Sequence, residues 1–390
     1  MRIAIVSSYL GSQVTGGAET YVADLARSLS NGNDVVVFSA TGSDVSVDAP
    51  VIQLPGQAPV EHDASLPRKT AWHLRDQWSL NVHRALSREL RRFAPDVVQT
   101  NNVQGLSAAV FTATANVPHV HTAHDLELLC VRTAMTRAGR RCAGRCADCL
   151  IQRAVRVPLA RRSVDHIATV SAAVGRRLVE AGAARADQVS VVRLGVASTD
   201  GRARSFDPPS LRVGFLGSLT RHKGVKTLLE AFRTAPPTWS LVVAGKGPLE
   251  ENVRAAAAND GRIAYRGHVS GEAKDALLDS IDVVVIPSEC EEAASLVGVE
   301  AAARGIPAAV SNRGGLPETP EARTFRSGSA EDLGRALAWF CEGDRLARAS
   351  ERLLARHWDF MWSRHAEQLE AILHRVAGKQ DQADPRATLR

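Results

Sequence analysis

The sequence predicts an α/β fold of two doubly wound halves, each a parallel sheet flanked by helices. Three observations predict it. The chain has 390 residues, more than one hydrophobic core comfortably holds, so two domains are expected. Strand-like apolar runs alternate with longer amphipathic segments, the pattern of parallel strands joined by right-handed helical crossovers. The alternation pauses at a polar stretch, VASTDGRARSFDPPS, and then restarts. Two Rossmann-like domains facing a cleft are therefore expected over 1–200 and 208–375. The remainder, 378–390, has almost no bulky apolar side chains and is expected to be disordered.

In the first half the strand candidates are RIAIVSS, DVVVFSA, DVVQTN, VPHVHTAH, HIATVSA and VSVVRLG. Between them TYVADLARSL, WHLRDQWSLNVHRALSRELRRF and AAVGRRLVEAG place apolar residues three and four apart, which predicts helices. In the second half RVGFLGSL, WSLVVAG, RIAYRG, DVVVIPS and PAAVS are strands, again separated by helical patterns.

An apolar fraction of 45% and a charged fraction of 23% are ordinary for a soluble globular enzyme. No apolar run approaches the length of a membrane span. The opening MRIAIVSSYLGS reads as a first strand rather than a signal peptide, so a cytoplasmic protein is expected. Net charge is +6. Much of it is local: Arg132, Arg137, Arg140, Arg141, Arg145, Arg153, Arg156, Arg161 and Arg162 have only Asp148 as an acid among them. That stretch is either a solvated basic face or a surface for anionic partners, phosphates or acidic lipids. Nucleic acid is not an expected partner. Peripheral contact with the inner membrane face is compatible with the pattern.

In open parallel sheets ligands bind beyond the carboxyl ends of the strands, and the chemistry-bearing residues fall there. Gly16 and Gly17 precede a helix, where glycine lets a ligand approach the backbone and the first amides; a plain turn is the alternative. In HTAHDLELLC, His121 lies on a strand and His124 just past its end, placed for a phosphate, a sugar hydroxyl or proton transfer. FLGSLTRHKGVKTLLEAF puts Lys223 and Gly224 at a helix start, a combination suited to a pyrophosphate. VVAGKGPLEENV adds a tight turn at Gly245 and Gly247, leaving room for a base or ribose. The stretch PSECEEAASLVGVEAAARGIPAAVS follows a buried strand ended by Pro287 and enters a helix near Leu296. Glu292 sits in the loop and Glu300 about a turn into the helix, with no basic residue in the segment until Arg304. Between them the amides of Ala294, Ser295, Leu296 and Val297 form an anion cradle kept open by small side chains.

That stretch resembles the signature of retaining family-4 glycosyltransferases (glycosyl transferases group 1) of the GT-B fold, with two glutamates separated by seven residues. GFLGSLTRHKGVKTLLEAF, VVAGKGPLEE, YRGHVS, GGAETYVADLA, PDVVQTNN, HTAHDLELLC and ATVSAAVGRRL follow the family's order, so the resemblance runs to about residue 375. It implies a nucleotide-sugar donor, UDP- or GDP-linked, and no catalytic metal. Glu300 would bind the ribose, Glu292 the transferred sugar, and Lys223 with the 294–297 backbone the diphosphate. Gly267 and His268 would flank the base, His124 would reach the donor sugar or phosphate, and Gly17 would line the acceptor side. Glu292 would position the sugar rather than attack it. Transfer would retain configuration through an oxocarbenium-like state, the leaving phosphate deprotonating the acceptor. The expected acceptor belongs to cell-surface polysaccharide or glycoconjugate synthesis. One residue departs from the family pattern: Ser218 stands where an arginine is frequent, with Arg221, His222 or Arg313 as replacements. HWDFMWSRHAEQLEAIL resembles the helix that crosses back to the first domain. The alternatives are a GT-B-fold sugar-nucleotide epimerase and a degenerate GT-B partner-binding protein; a monomer or a homodimer would serve any of these.

Finally, LCVRTAMTRAGRRCAGRCADCL gathers Cys130, Cys142, Cys146 and Cys149, with Cys290 and Cys341 far away in sequence. In a cytosolic chain such a group points first to structural zinc, then to reduced thiols or a disulfide. By the resemblance the arginine-rich loop there lies near the acceptor side and suits a phosphate- or lipid-diphosphate-linked acceptor.

Overall fold

The computed structural model describes residues 1–390 except 11–16, 43–46, 61–64, 134, 138–139, 143–145, 198, 200, 202 and 384–390. The chain divides into two compact units. The first is Met1–Thr133 with Gly144–Arg193 and His365–Arg390; the second is Leu194–Arg364 with Ala134–Ala143.

The first unit opens with β1 (Arg2–Ser7), α1 (Gly17–Ser30), β2 (Asp34–Ser39) and β3 (Val51–Gln53). It continues through α2 (Leu66–Arg75), α3 (Leu80–Phe93), β4 (Val97–Thr100), α4 (Ala109–Ala113) and β5 (His119–Ala123). An antiparallel ribbon of β6 (Thr136–Arg137) and β7 (Arg140–Arg141) interrupts it and groups with the second unit. Then come α5 (Ala147–Ser163), β8 (His166–Thr169), α6 (Ala172–Glu180) and β9 (Val189–Val191). The sheet order is β3-β2-β1-β4-β5-β8-β9, parallel throughout. Ile3, Ala4, Ile5 and Val6 are all fully buried, as expected for a strand covered on both faces.

Two features of this unit differ from the sequence expectation. WHLRDQWSLNVHRALSRELRRF is not one helix: α2 ends at Arg75 with Asp76 as its C-cap, and α3 starts at Leu80. The Asp76 carboxylate is buried, accepting from the Gly105 amide at 2.7 Å and from Arg156 at 2.6 Å. Ser79 then caps α3 by accepting from the Val82 amide at 3.4 Å. Arg156 is likewise not part of a solvated basic face. It is fully buried between Asp76 and Glu127, the latter at 3.5 Å. Both carboxylates lie on other parts of the chain, so inspection of the arginine-rich stretch alone misses them.

The second unit runs β10 (Leu211–Leu216), α7 (Val225–Arg233), β11 (Trp239–Ala244), α8 (Glu250–Asn259), β12 (Ile263–Tyr265) and α9 (Gly271–Asp279). It proceeds with β13 (Val283–Ile286), α10 (Leu296–Ala303), β14 (Ala308–Ser311), β15 (Ala322–Phe325), α11 (Ala330–Phe340) and α12 (Arg345–Ala355). The parallel sheet has the order β12-β11-β10-β13-β14-β15. One core, with Val213, Phe215, Leu228, Phe232, Val283 and Phe340, covers one face of the sheet. A second, with Leu278, Ile281, Val284, Ala301 and Val310, covers the other. The strand order turns back between β10 and β13, and at such a switch point the two loops leaving the carboxyl ends diverge and open a crevice.

The last helix, α13 (Trp362–Ala383), groups with the first unit from His365 onward. The His365 Nδ1 donates to the Arg193 carbonyl at 2.7 Å, which leaves Nε2 to accept from the Tyr21 hydroxyl at 2.8 Å. Asn33 donates to Glu370 at 2.8 Å. This helix runs into the segment expected to be disordered, and 384–390 lie outside the described residues. No helix among the described residues is long and apolar enough to cross a membrane.

Candidate active site

The donor-side residues expected from the sequence all lie in the second unit, at the carboxyl ends of its strands. Lys223 follows β10, Gly245 follows β11, Gly267 and His268 follow β12, and Glu292 follows β13. The loops are tied together through their backbones. Gly217 N donates to Ala244 O at 3.0 Å, Leu219 N to Lys246 O at 2.8 Å, and Gly245 N to Gly267 O at 2.7 Å. Ser218 and His268 are exposed on this rim.

Glu292 is the centre of the arrangement. Its Oε1 accepts from Lys223 Nζ and from Ser288 Oγ, the latter at 2.7 Å. Two glycines bring these partners together. Gly224 has φ 74°, and a Cβ there would stand 1.9 Å from the Pro287 carbonyl, so the Lys223 loop lies directly against the end of β13. Gly314 has φ 54°, and a Cβ there would stand 2.0 Å from the Glu292 carbonyl. That carbonyl instead accepts from the Gly315 amide at 2.8 Å. A side chain at either position would meet both an unfavourable backbone region and a backbone clash.

Burial alone would lower the pKa of Lys223, but the Glu292 carboxylate outweighs it and the pKa is raised, so the ammonium is charged at neutral pH. Beside it, burial pushes the Cys290 thiol up to about 12, with the Glu292 charge adding to the effect. Cys290 is therefore a neutral thiol here.

Glu300, on the helix that follows, accepts from Lys274 Nζ at 2.6 Å. Both glutamates thus have lysine partners, supplied by other segments. The sequence reading missed Lys274, which a distant helix, α9, brings in. Ser295 caps α10 by accepting from the Gly298 amide at 3.1 Å. The amides of Leu296 and Val297 lie in the first turn, where an N–H has no intrahelical acceptor, and 294–297 are only partly buried. Arg313 stands next to Gly314, and its buried Nε has no hydrogen-bond partner among the described residues. Two ammonium groups, two carboxylates, a hydroxyl and a helix start are thereby collected around the end of β13 and the start of α10. Such a set can hold an anion on one side and hydroxyl groups on the other.

In the first unit Gly17 opens α1, while Gly16 lies outside the described residues. His124 follows β5; its Nε2 meets Asn101 Oδ1 at 2.9 Å, and its ring stands edge-on to Tyr21 with centroids 4.4 Å apart. Loss of solvent around the ring, with His365 nearby, holds its pKa far below the ordinary value, so it is a neutral hydrogen-bonding group. His121 is a structural residue: it is buried, and its Nδ1 meets the Thr100 hydroxyl at 2.9 Å.

Among the described residues no group of three or more His, Cys, Asp or Glu is arranged to hold a metal ion. Cys146 precedes the first residue of α5, 3.3 Å from Cys149 between sulfurs, and Cys149 also neighbours Cys130. Cys142 is partly exposed, and all four are free thiols.

The model for "Glycosyltransferase Family 4" matches residues 15–199, and that for "Glycosyl transferases group 1" matches residues 201–355. A glycogen synthase of Mycobacterium tuberculosis is 30% identical over 346 residues, covering 82% of this chain and 80% of its own. Among solved structures, Anabaena HepE in complex with UDP superposes with a TM-score of 0.71 at 18% identity, covering 96% of this chain and all of its own. Sucrose-phosphate synthase from Thermosynechococcus elongatus gives 0.70 at 20% identity, covering 97% and 99%. The chain belongs to the group 1 (family-4) glycosyltransferases and has their GT-B fold.

Proposed function

We propose that this chain transfers a sugar from a UDP- or GDP-sugar to an acceptor hydroxyl with retention of configuration, in the synthesis of a cell-surface polysaccharide or glycoconjugate. The observation that carries the reading is the Lys223–Glu292 pair at the switch point of the second sheet, beside the start of α10. The Lys223 ammonium and the Leu296 and Val297 amides supply the positive end that a departing diphosphate requires, so the leaving group needs no metal ion for charge stabilisation. Glu292 exchanges its lysine and Ser288 for hydroxyls of the transferred sugar and holds the ring. Glu300 does the same for the ribose, releasing Lys274. Gly267 and His268 flank the base. Arg313, with its open Nε, takes the role that an arginine at position 218 would have.

His124 is neutral and donates or accepts a hydrogen bond on the donor sugar or phosphate. Positive charge develops at the anomeric carbon as the diphosphate leaves, and the leaving phosphate takes the proton of the incoming hydroxyl on the same face. HepE, which shares the fold, has been solved with UDP and with UDP-glucose, which favours UDP over GDP as the carrier. The test is nucleotide release from a panel of UDP- and GDP-sugars by the wild type and Lys223→Ala, with the anomeric configuration of the product read by NMR. Release of one nucleotide, lost in the variant, supports the reading. Equal release by both proteins, or an inverted product, contradicts it.

A further inference from the structure

Seven large apolar side chains are exposed among the described residues, and five of them lie on neighbouring elements of the first unit. Leu74, Trp78 and Leu80 occupy the end of α2, the turn and the start of α3, exposed by 60%, 43% and 43%. Leu150 and Ile151 stand on the first turns of α5, each 50% exposed. The two segments touch directly: Gln77 Nε2 donates to Gln152 Oε1 at 3.5 Å, and the buried Arg156 of α5 bonds Asp76 between Leu74 and Trp78. Trp78 is held in place by stacking on His83, with centroids 5.8 Å apart. Scattered apolar side chains need no explanation, whereas a group on two elements fastened together by a buried ion cluster does.

The exposed charges on these helices are mainly basic. Arg75, Arg84, Arg161 and Arg162 are exposed on the same helices. The acids on these segments are paired: Asp76 is buried against Arg156, Asp148 pairs with Arg132 at 3.0 Å and Glu89 with Arg88 at 2.9 Å. A fixed tryptophan and four aliphatic side chains, with exposed arginines on the same helices, match the boundary of an anionic bilayer, where the apolar groups enter the acyl edge and the guanidinium groups meet lipid phosphates. We infer that the α2–α3 turn and the start of α5 form a docking surface for an anionic membrane. The inference does not depend on the donor reading, and it fits an acceptor presented at a lipid surface.

The experiment is flotation of the full chain with vesicles of phosphatidylcholine, with and without phosphatidylglycerol, at low and high salt. The variants are Leu150→Asp/Ile151→Asp and Trp78→Ala, each altering exposed side chains, with melting curves to verify folding. Expected are partition onto phosphatidylglycerol vesicles, release by salt, and at least about tenfold weaker partition of the aspartate variant. No partition of the wild type, or equal partition of the variant, overturns the inference. So does light scattering that shows the variant splitting a dimer while vesicle binding is unchanged, since the surface then belongs to a second copy.

Discussion

Lys223 and Glu292 are 69 residues apart in sequence and meet as an ion pair between loops that leave neighbouring strands, β10 and β13. Because the strand order turns back between these two strands, the pair marks where the second unit can admit a ligand. On the proposed reading the lysine serves the phosphates and the glutamate the sugar, so the ligand replaces this contact with two of its own.

Separating the two roles gives the first prediction. Lys223→Ala should weaken binding of the free nucleoside diphosphate, by about 10- to 150-fold for a charged hydrogen bond worth 1.5–3 kcal/mol. Glu292→Gln leaves the ammonium free for phosphate and should bind the nucleotide at least as well, while kcat for transfer falls by a similar factor. Calorimetry for binding and initial rates for transfer check the pair.

The second concerns Ser218. Arg313→Ala should weaken nucleotide binding by about tenfold, through loss of a charged hydrogen bond. Ser218→Arg in that background should recover much of the loss. If Arg313→Ala binds normally, the open Nε serves another purpose.

A pH dependence follows from the histidines of β5. His119 and His121 are buried, and burial holds the pKa of each down at about 3. Their bonds agree with neutral rings: His121 Nδ1 donates to Thr100 Oγ1, whose hydroxyl donates to His119 Nε2, whose Nδ1 donates to Ser163 O at 3.1 Å. The unfolded chain takes up protons below the ordinary value near 6.5 and the folded chain does not. The stability is therefore present above about pH 6.5 and is lost as pH falls from there toward 3, at about 1.4 kcal/mol per pH unit for each ring. Other buried groups titrate over the same range, so the test is a difference: in urea titrations between pH 7.5 and 5 the wild type should lose about 1.4 kcal/mol per pH unit more than His119→Gln below about pH 6.

Arg156 gives the fourth. Removing one partner from a buried ion cluster costs about 3–5 kcal/mol, because the others remain buried and uncompensated. Arg156→Ala should lower the denaturation midpoint of the first unit accordingly. Arg156→Met combined with Asp76→Asn and Glu127→Gln should recover much of it. A silent Arg156→Ala would show that the cluster adds no stability.

The sheets were legible because their strands are near-continuous apolar runs, such as RIAIVS and DVVVFS, and buried parallel strands have no polar face to disguise them. The short edge strands were not: VIQ is three residues long, and ARTF leaves Arg323 and Thr324 exposed. In the candidate site, Lys223 and Glu292 could be picked out from their places after strands, because position in a doubly wound sheet carries the information. Lys274 could not, since it enters from the middle of an ordinary amphipathic helix. The Arg156 cluster was hidden for a related reason. A buried arginine is recognisable only by its partners, and these come from 80 and 29 residues away.

The account's central claim is that Lys223 and Glu292 form the diphosphate and sugar end of a nucleotide-sugar site. Thermal unfolding of the wild type and Lys223→Ala with UDP, GDP, ADP and dTDP tests it most directly. A nucleotide at a hundred times its dissociation constant stabilises by about 2.7 kcal/mol. The account predicts that UDP or GDP raises the wild-type midpoint and leaves that of the variant nearly unchanged. Equal shifts in both proteins, or no shift with any nucleotide, would contradict it.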